Sequence, residues 1–334
     1  MKKLIAFLMT IVIVFSMAAC GGGANPAADG GDTYTLKMHL SVATNEPVYK
    51  SAEKFKEIIE AETDGKVTIE LYPSSSLGAA ADCLEGLSMR ACDIVYDPLS
   101  NLSTWTELAN IEGVPYMYND VEHFRSIWEG EVGDQIRTAI GDAANVKVMG
   151  NALMGVRVMT SNKKVESVAD VKGLKLRVPT IDIYLKTWEW LGASPTPLSG
   201  SEIFTAIQQG SVDAQENPYP SCLGLSLHET VDYVVETNHV YNLCTMIMDK
   251  AFFESLPAEY QTLIENTAAE VGKIATEQII ASAEEAKQVF VDAGCEIIEV
   301  DIDEWRGAMD GFLEEKYPAL VEYYNMIVDA APAK

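Results

Sequence analysis

Leu174 to Pro220 reads LKLRVPTIDIYLKTWEWLGASPTPLSGSEIFTAIQQGSVDAQENPYP. Leu174–Val178 alternates with a period of two and stops at Pro179, as a strand does. Arg177 falls at the carboxyl end of that strand, the edge where open α/β sheets bind ligands. Helical spacing follows through Trp190, then a turn carrying Pro195 and Pro197, then a second helix over Glu202–Gln209. Val212-Asp213-Ala214-Gln215-Glu216-Asn217-Pro218 returns polar side chains toward the same rim. A strand ending in arginine, two helices and a polar return are the makings of one wall of a ligand pocket.

Upstream, Tyr34–Val42 alternates like a first strand, Val48–Glu62 has helical periodicity, and Val67–Tyr72 is a second strand. This β-α-β unit belongs on a parallel sheet with a right-handed crossover. The loop Tyr72–Gly78 leads into a helix ending near Met89, and Asp93–Tyr96 is a short strand. The run Tyr96-Asp97-Pro98-Leu99-Ser100-Asn101 should then lie at the sheet's carboxyl edge and offer ligand contacts. A solvated turn set by Pro98 and Asp97 is the alternative. Val146–Met149 is a strand leading into Gly150–Thr160. Val231–Val235 and Val240–Met248 are further strands, Pro257 to about Ala293 is one long helix, Glu296–Val300 is a last strand, and Glu304–Asp329 closes with helices. The fold class is α/β.

The net charge of −26 argues against nucleic acid or anionic lipid headgroups as partners. The 334 residues suffice for two domains with buried cores. Lys2 and Lys3 precede an apolar run, Leu4–Met17, too short to span a bilayer comfortably; residues 1–19 therefore read as a signal peptide. Met17-Ala18-Ala19-Cys20 resembles a lipobox, with Cys20 as the lipidated residue, and 20–32 is a flexible tether. An ordinary cleavage site is the alternative. Cys83, Cys92, Cys222, Cys244 and Cys295 remain, an odd number at irregular spacings, which is no disulfide framework and suits buried thiols; a single bridge in an oxidising compartment is the alternative. The four histidines are scattered singly, so no metal site and no cofactor is expected.

Several pieces together carry a family resemblance: Gly173-Leu174-Lys175-Leu176-Arg177-Val178-Pro179, Leu191-Gly192-Ala193-Ser194-Pro195-Thr196-Pro197, Ser201-Glu202 and Gln215-Glu216-Asn217-Pro218. Leu71-Tyr72-Pro73, Leu77-Gly78, Asp93-Ile94-Val95, Val114-Pro115-Tyr116 and Thr237-Asn238-His239 extend it over nearly the whole mature chain. The chain resembles the solute-binding subunits of TRAP transporters, the DctP-like family. The resemblance implies a two-lobed periplasmic-binding-protein fold with a ligand cleft, hinge strands and a long lobe-spanning helix. The lobes would be 33–154 with 243–282, and 155–242 with 283–334.

It also implies that Arg177, Arg157 and Asn217 bind a ligand carboxylate. Arginine suits that role because its planar fork meets a carboxylate with two parallel hydrogen bonds and stays charged. Asn217 can donate to a ligand oxygen or accept from arginine. Read from the residues alone, either arginine could pair with a neighbouring acid instead, and Asn217 could be a turn residue before Pro218. Glu216 reads as an acceptor that positions an arginine. His39, Ser41, Tyr96, Asp97, Gly200, Glu216, Tyr219 and Trp188 are candidate pocket lining. Trp188 and Trp190 cannot share one helix face, so at least one is core, and His239 reads as a hinge or core histidine.

Sialate-binding members carry a stacking aromatic where this chain has Gly200, and acids where it has Ala79 and Pro98, which disfavours sialate. The implied function is an exported, lipid-anchored protein, not an enzyme. It would capture a small organic acid and deliver it to the small and large membrane subunits of a permease. Dicarboxylates, keto acids, hydroxy acids and aromatic acids all satisfy the same arginine. An exported enzyme on a small acid, or a binding protein for an ABC system or sensor kinase, are the alternatives.

Overall fold

The computed structural model describes residues 33–332. Among them are the strands β1 Tyr34–His39, β2 Val67–Tyr72, β3 Ile94–Pro98, β4 Val146–Ser161 and β5 Lys175–Val178. They continue as β6 Ser194–Pro197, β7 Ala214–Pro218, β8 Tyr233–Glu236, β9 Tyr241–Asp249 and β10 Glu296–Glu299. The expected signal peptide, Cys20 and the expected tether lie outside the described residues.

The sheet has two halves that share β4. One half runs β2-β1-β3-β9-β4; the other has β4 between β8 and β7, with β5 and β6 beyond β7 and β10 beyond β8. β1 pairs with β2 and β3 in parallel, as the β-α-β reading requires, while β9 runs antiparallel to both β3 and β4. Along β4 the partner changes at one point. Val156 still pairs with Tyr241 of β9, whereas Arg157 pairs with Pro218 of β7. One strand thus belongs to both halves.

The sequence splits β4 at Gly150, but the strand is continuous. Gly150 (φ +79°) and Gly155 (φ +138°) adopt backbone conformations that side-chain-bearing residues rarely take. The β4–β9 register slips beside each of them. Bulges here bend a strand without ending it. β7 was legible only as a polar return, because AQENP lacks the alternation of a half-buried strand. All five of its residues are buried between β4 and β5.

Helix Ala258–Asp292 packs along β4, against helix Pro47–Glu62 and against helix Tyr219–Gly224. Its inner face is small: Ala268, Gly272, Ala275 and Thr276 are all buried. That lets the helix approach β4 closely enough for Thr276 Oγ1 to accept from the Leu153 amide at 2.9 Å. A methyl group on Gly272 would stand 2.3 Å from Asn151 Oδ1. Gly272→Ala is therefore expected to destabilise the protein by about 1–3 kcal/mol despite alanine's better helix propensity, as denaturant unfolding would show.

The cores follow this plan. One apolar cluster lies under β1–β3 and helix Pro47–Glu62, with Leu36, Met38, Phe55 and Ile69 fully buried. Another gathers Ile203, Ile207, Cys222, Val234 and Phe290. The largest joins residues of both halves and holds Trp128, Trp188 and Trp305. The closing helices contribute to it and also reach helix Val121–Trp128, where His123 Nε2 bonds the Ile327 carbonyl at 2.9 Å. The five cysteines beyond Cys20 are buried thiols.

Candidate functional site

Arg177 is the third residue of β5, between Thr196 of β6 and Gln215 of β7. Asn217 lies two residues further along β7 and pairs with Val158, next to Arg157. Because β5 and β7 are parallel, Arg177 and Asn217 approach the same carboxyl-terminal edge. Arg157 reaches it from the antiparallel strand β4. The edge is where α/β sheets bind ligands.

The two arginines differ in their surroundings. Arg157 is 4% exposed and is engaged by protein. Its Nε donates to Glu216 Oε2, and Nη2 donates to Glu216 Oε1 at 2.8 Å and to Asn217 Oδ1 at 3.1 Å. Its Nη1 donates to Asn242 Oδ1 at 2.8 Å, and its guanidinium lies over the Tyr184 ring. Burial opposes both charges, but their attraction prevails: Arg157 titrates above its ordinary value, and Glu216 is held down at about 2. Of the two expected carboxylate-binding arginines, Arg157 is thus engaged by an acid of the protein, Glu216, which accepts two of its hydrogen bonds.

Arg177 is equally buried, at 4% exposure, but has no carboxylate partner among the described residues. Its Nε and Nη2 both donate to the Leu198 carbonyl, at 2.9 and 2.6 Å. Nη1 has no hydrogen-bond partner among the described residues. Burial lowers its pKa to about 10; Glu216 opposes that shift and Arg157 adds to it. The guanidinium remains a cation at neutral pH. Holding an uncompensated buried charge is costly, and an acid guest would supply the missing charge.

Around this pair runs a polar network that the sequence reading missed. Asn242 on β9 donates to Glu112 Oε1, which also accepts from the Leu243 amide at 3.0 Å. Glu216 Oε2 meets His239 Nε2 at 3.1 Å, and His239 Nδ1 meets Thr237 Oγ1 at 2.9 Å. Both ring nitrogens of His239 are thus engaged by side chains of the protein. Glu112 sits in the 3₁₀ segment Glu107–Gly113. A buried acid in so apolar a stretch as ELANIEG was its only sequence signal.

On the other half-sheet, His39 ends β1 and Asp97 is the fourth residue of β3, again at carboxyl ends of parallel strands. Their side chains are buried and 3.6 Å apart. Ser41 Oγ donates to Asp97, and Asn101 Nδ2 reaches it at 3.4 Å. Neither ring nitrogen of His39 has a hydrogen-bond partner among the described residues. Glu46, from the loop before helix Pro47–Glu62, accepts from Ser221 Oγ at 2.8 Å. That bond joins the β1–β3 half to the helix after β7. Burial raises the pKa of Glu46.

Three aromatic candidates are placed in the core rather than as cleft lining. Trp188 is fully buried, edge-on to His239 and Trp305. Tyr96 is buried with its hydroxyl 3.0 Å from Ser51 Oγ. Tyr219 packs edge-on to Phe290 and donates to Glu236 at 3.0 Å. Each was nominated by residue type, and each side chain points to the inner face of its element. Trp190 is half-buried and donates to the Ala308 carbonyl. Gly200, two residues after Leu198, faces open space: a methyl group there would meet nothing within 4 Å.

Residues 38–318 match the family model described as bacterial extracellular solute-binding protein, family 7. The chain is 30% identical over 295 residues to the solute-binding protein RD1_1052 of Roseobacter denitrificans, covering 88% of this chain and 90% of that one. It is 29% identical over 289 residues to the sialic acid-binding periplasmic protein SiaP of Vibrio cholerae, covering 86% and 90%. The solved structure of the Roseobacter TRAP periplasmic solute-binding protein, with bound L-galactonate, superposes with a TM-score of 0.81 over 88% of this chain and 99% of that one. A TRAP periplasmic solute-binding protein from Ochrobacterium anthropi, with bound L-fuconate, gives 0.83 at 25% identity over 89% and 99%. With its two-lobed α/β fold, the chain belongs to the DctP-like family of TRAP-transporter solute-binding proteins.

Proposed function

We propose that this protein captures a small hydroxylated carboxylic acid between its two halves and delivers it to a TRAP permease. Arg177 is the observation that carries the reading: a buried guanidinium that, among the described residues, has no acid partner and no partner for Nη1. A ligand carboxylate would accept from Arg177 and from Asn217 Nδ2, now bonded to Gln215 Oε1 at 2.7 Å. Arg157, held by Glu216, keeps Asn217 Oδ1 turned inward, which leaves the amide nitrogen for the ligand. His39, Ser41 and Asp97, at the facing strand ends, are suited to ligand hydroxyls. Because a guest would touch both halves, it binds the closed form better, and closure follows from that difference.

The relatives' ligands, L-galactonate and L-fuconate, are aldonates. Gly200 and Ala79 leave space without the partners a larger sialate would need, so the reading favours a smaller acid. Binding proceeds without chemistry on the ligand. Residues 1–19 direct export, and lipid on Cys20 holds the protein at the outer face of the cytoplasmic membrane; release by detergent but not by salt is the check. Among the described residues no helix is long and apolar enough to cross a membrane.

A thermal-shift comparison of aldonates, uronates, C4-dicarboxylates and sialate with the matching neutral alditols tests the proposal. An acid at about a hundred times its Kd should stabilise the protein by about 2.7 kcal/mol, a rise of several degrees, and its alditol should do nothing. Equal stabilisation by the alditol, or by no acid at all, would refute it.

A further inference from the structure

Glu46 ends the loop after β1 and immediately precedes helix Pro47–Glu62. Its carboxylate is buried against the other half of the molecule, and the residue is only 7% exposed. Oε1 accepts from the Ala43 amide at 2.9 Å, and Oε2 accepts from Ser221 Oγ at 2.8 Å. Ser221 is itself buried and lies on helix Tyr219–Gly224, which packs on β4 and on helix Ala258–Asp292. The approach is close: a methyl group on Gly224 would stand 3.1 Å from Glu46 Oε1. The helix of one half therefore covers the carboxylate of the other, and drawing the halves apart would return that carboxylate to water.

The seam flanks the candidate cleft on both sides. Asp97, which accepts from Ser41, acts electrostatically on Glu46 from β3. Next to Ser221, Cys222 Sγ donates to the Asn217 carbonyl at 3.5 Å and accepts from Gln215 Nε2 at 3.3 Å. The groups set against Glu46 do not neutralise it. Asp97 repels it, and the Cys222 and Cys244 thiols that feel its charge are kept protonated by burial. Lys50, one turn into the helix that Glu46 precedes, pairs with Glu53 at 2.9 Å. Burial raises the pKa of Glu46, Asp97 adds to the rise, and the Ala43 amide and Ser221 hydroxyl oppose it.

We propose that Glu46 and Ser221 form a latch between the halves, made on closure, so that capture of the acid takes up a proton at Glu46. The latch rests on the acid capture proposed above and adds a partner to it, the proton. With the halves apart, Glu46 is hydrated and ionised at neutral pH; closed, it is buried, and burial favours the neutral carboxyl. A protonated carboxyl can still bond the Ser221 hydroxyl. The closed form holds the proton more tightly than the open form, so the ligand and the proton assist each other reciprocally. Affinity is fullest at low pH and is lost as pH rises through the raised value of Glu46. Glu46 is a positioning residue and acts through closure.

The probes are L-galactonate, D-glucuronate and fumarate, titrated calorimetrically into the full chain between about pH 5 and pH 8 in buffers of different ionisation enthalpy. Wild type should take up a fraction of a proton per acid bound, and its Kd should rise with pH by up to about tenfold per pH unit. Glu46→Gln keeps the shape and removes the charge. It should lose that uptake, hold its affinity across the range, and bind at the upper pH at least as tightly as wild type. Ser221→Ala should weaken binding about tenfold at the upper pH, where it strips a hydrogen bond from an ionised buried group, and less at the lower. Protons taken up elsewhere, at His239 for example, are common to wild type and Glu46→Gln and cancel in the comparison. Equal proton uptake and parallel pH profiles in the two would overturn the latch alone. Probes that bind as well after Arg177→Ala, or that fail to bind the wild-type protein, would overturn the reading of the cleft and the latch with it.

Discussion

Arg177→Ala is expected to abolish measurable binding of the cleft acid while leaving the melting temperature of the ligand-free protein unchanged or slightly raised. Truncating one partner of a buried, hydrogen-bonded charge pair costs about 2–5 kcal/mol of binding, roughly thirty- to several-thousand-fold in Kd. The ligand-free protein behaves oppositely, because the change removes a buried cation that lacks a counter-ion. What it loses is two bonds to one carbonyl, at Leu198. Arg177→Lys separates charge from geometry: it keeps the cation and loses the fork, so its affinity should fall between the two. Titration calorimetry and a melt on the same three proteins suffice. Wild-type affinity in Arg177→Ala would remove the anchor from the mechanism.

The sequence made Arg177 visible for a local reason. A short alternating strand stopped by Pro179 fixes where its last side chains lie, and the edge rule then names the arginine. Arg157 was nominated by the family resemblance rather than by a local pattern, and its partner was not foreseeable from spacing. Fifty-nine residues separate Arg157 from Glu216, and only the β4–β7 register brings them together. The same holds for Glu46 with Ser221, 175 residues apart, and for Glu112 with Asn242, 130 apart. These bonds span long stretches of sequence, and the Glu46–Ser221 bond also joins the two halves; no local pattern encodes such pairings. The strands misread, β4 and β7, carry Arg157, Glu216 and Asn217 of the candidate site. β4 needs glycines at its bends, and β7 carries polar residues inward, so both break the alternation by which strands are recognised. Aromatic candidates erred in the other direction: large rings such as Trp188 dominate cores for their area alone.

Glu216→Ala is expected to have the largest effect on stability. It would leave Arg157 buried with only Asn217, Asn242 and backbone as partners, and breaking a buried ion pair from one side costs about 3–5 kcal/mol. At roughly 2–4 °C per kcal/mol for a chain approaching this size, the melting temperature should drop by roughly 6–20 °C. The pair also sets the response to acid. Burial works against the Glu216 charge but Arg157 prevails, so its pKa, about 2, lies below the unfolded value. Its contribution is complete above the ordinary carboxylate range and is lost as pH falls through that range toward 2. His239, lowered by burial with Glu216 opposing, adds the same sign: stability falls as pH drops below the ordinary imidazole value, because the unfolded chain takes the proton first. Stability against pH should therefore decline in two windows, and Glu216→Gln should flatten the lower one. Replacing both partners with apolar residues, Arg157→Met with Glu216→Leu, should recover much of the loss, since the penalty comes from the charge left alone. A Glu216→Ala protein that melts like wild type would show that the pair contributes no net stability. The two arginines are then separable by experiment, because Arg157 acts on folding and Arg177 acts on the ligand.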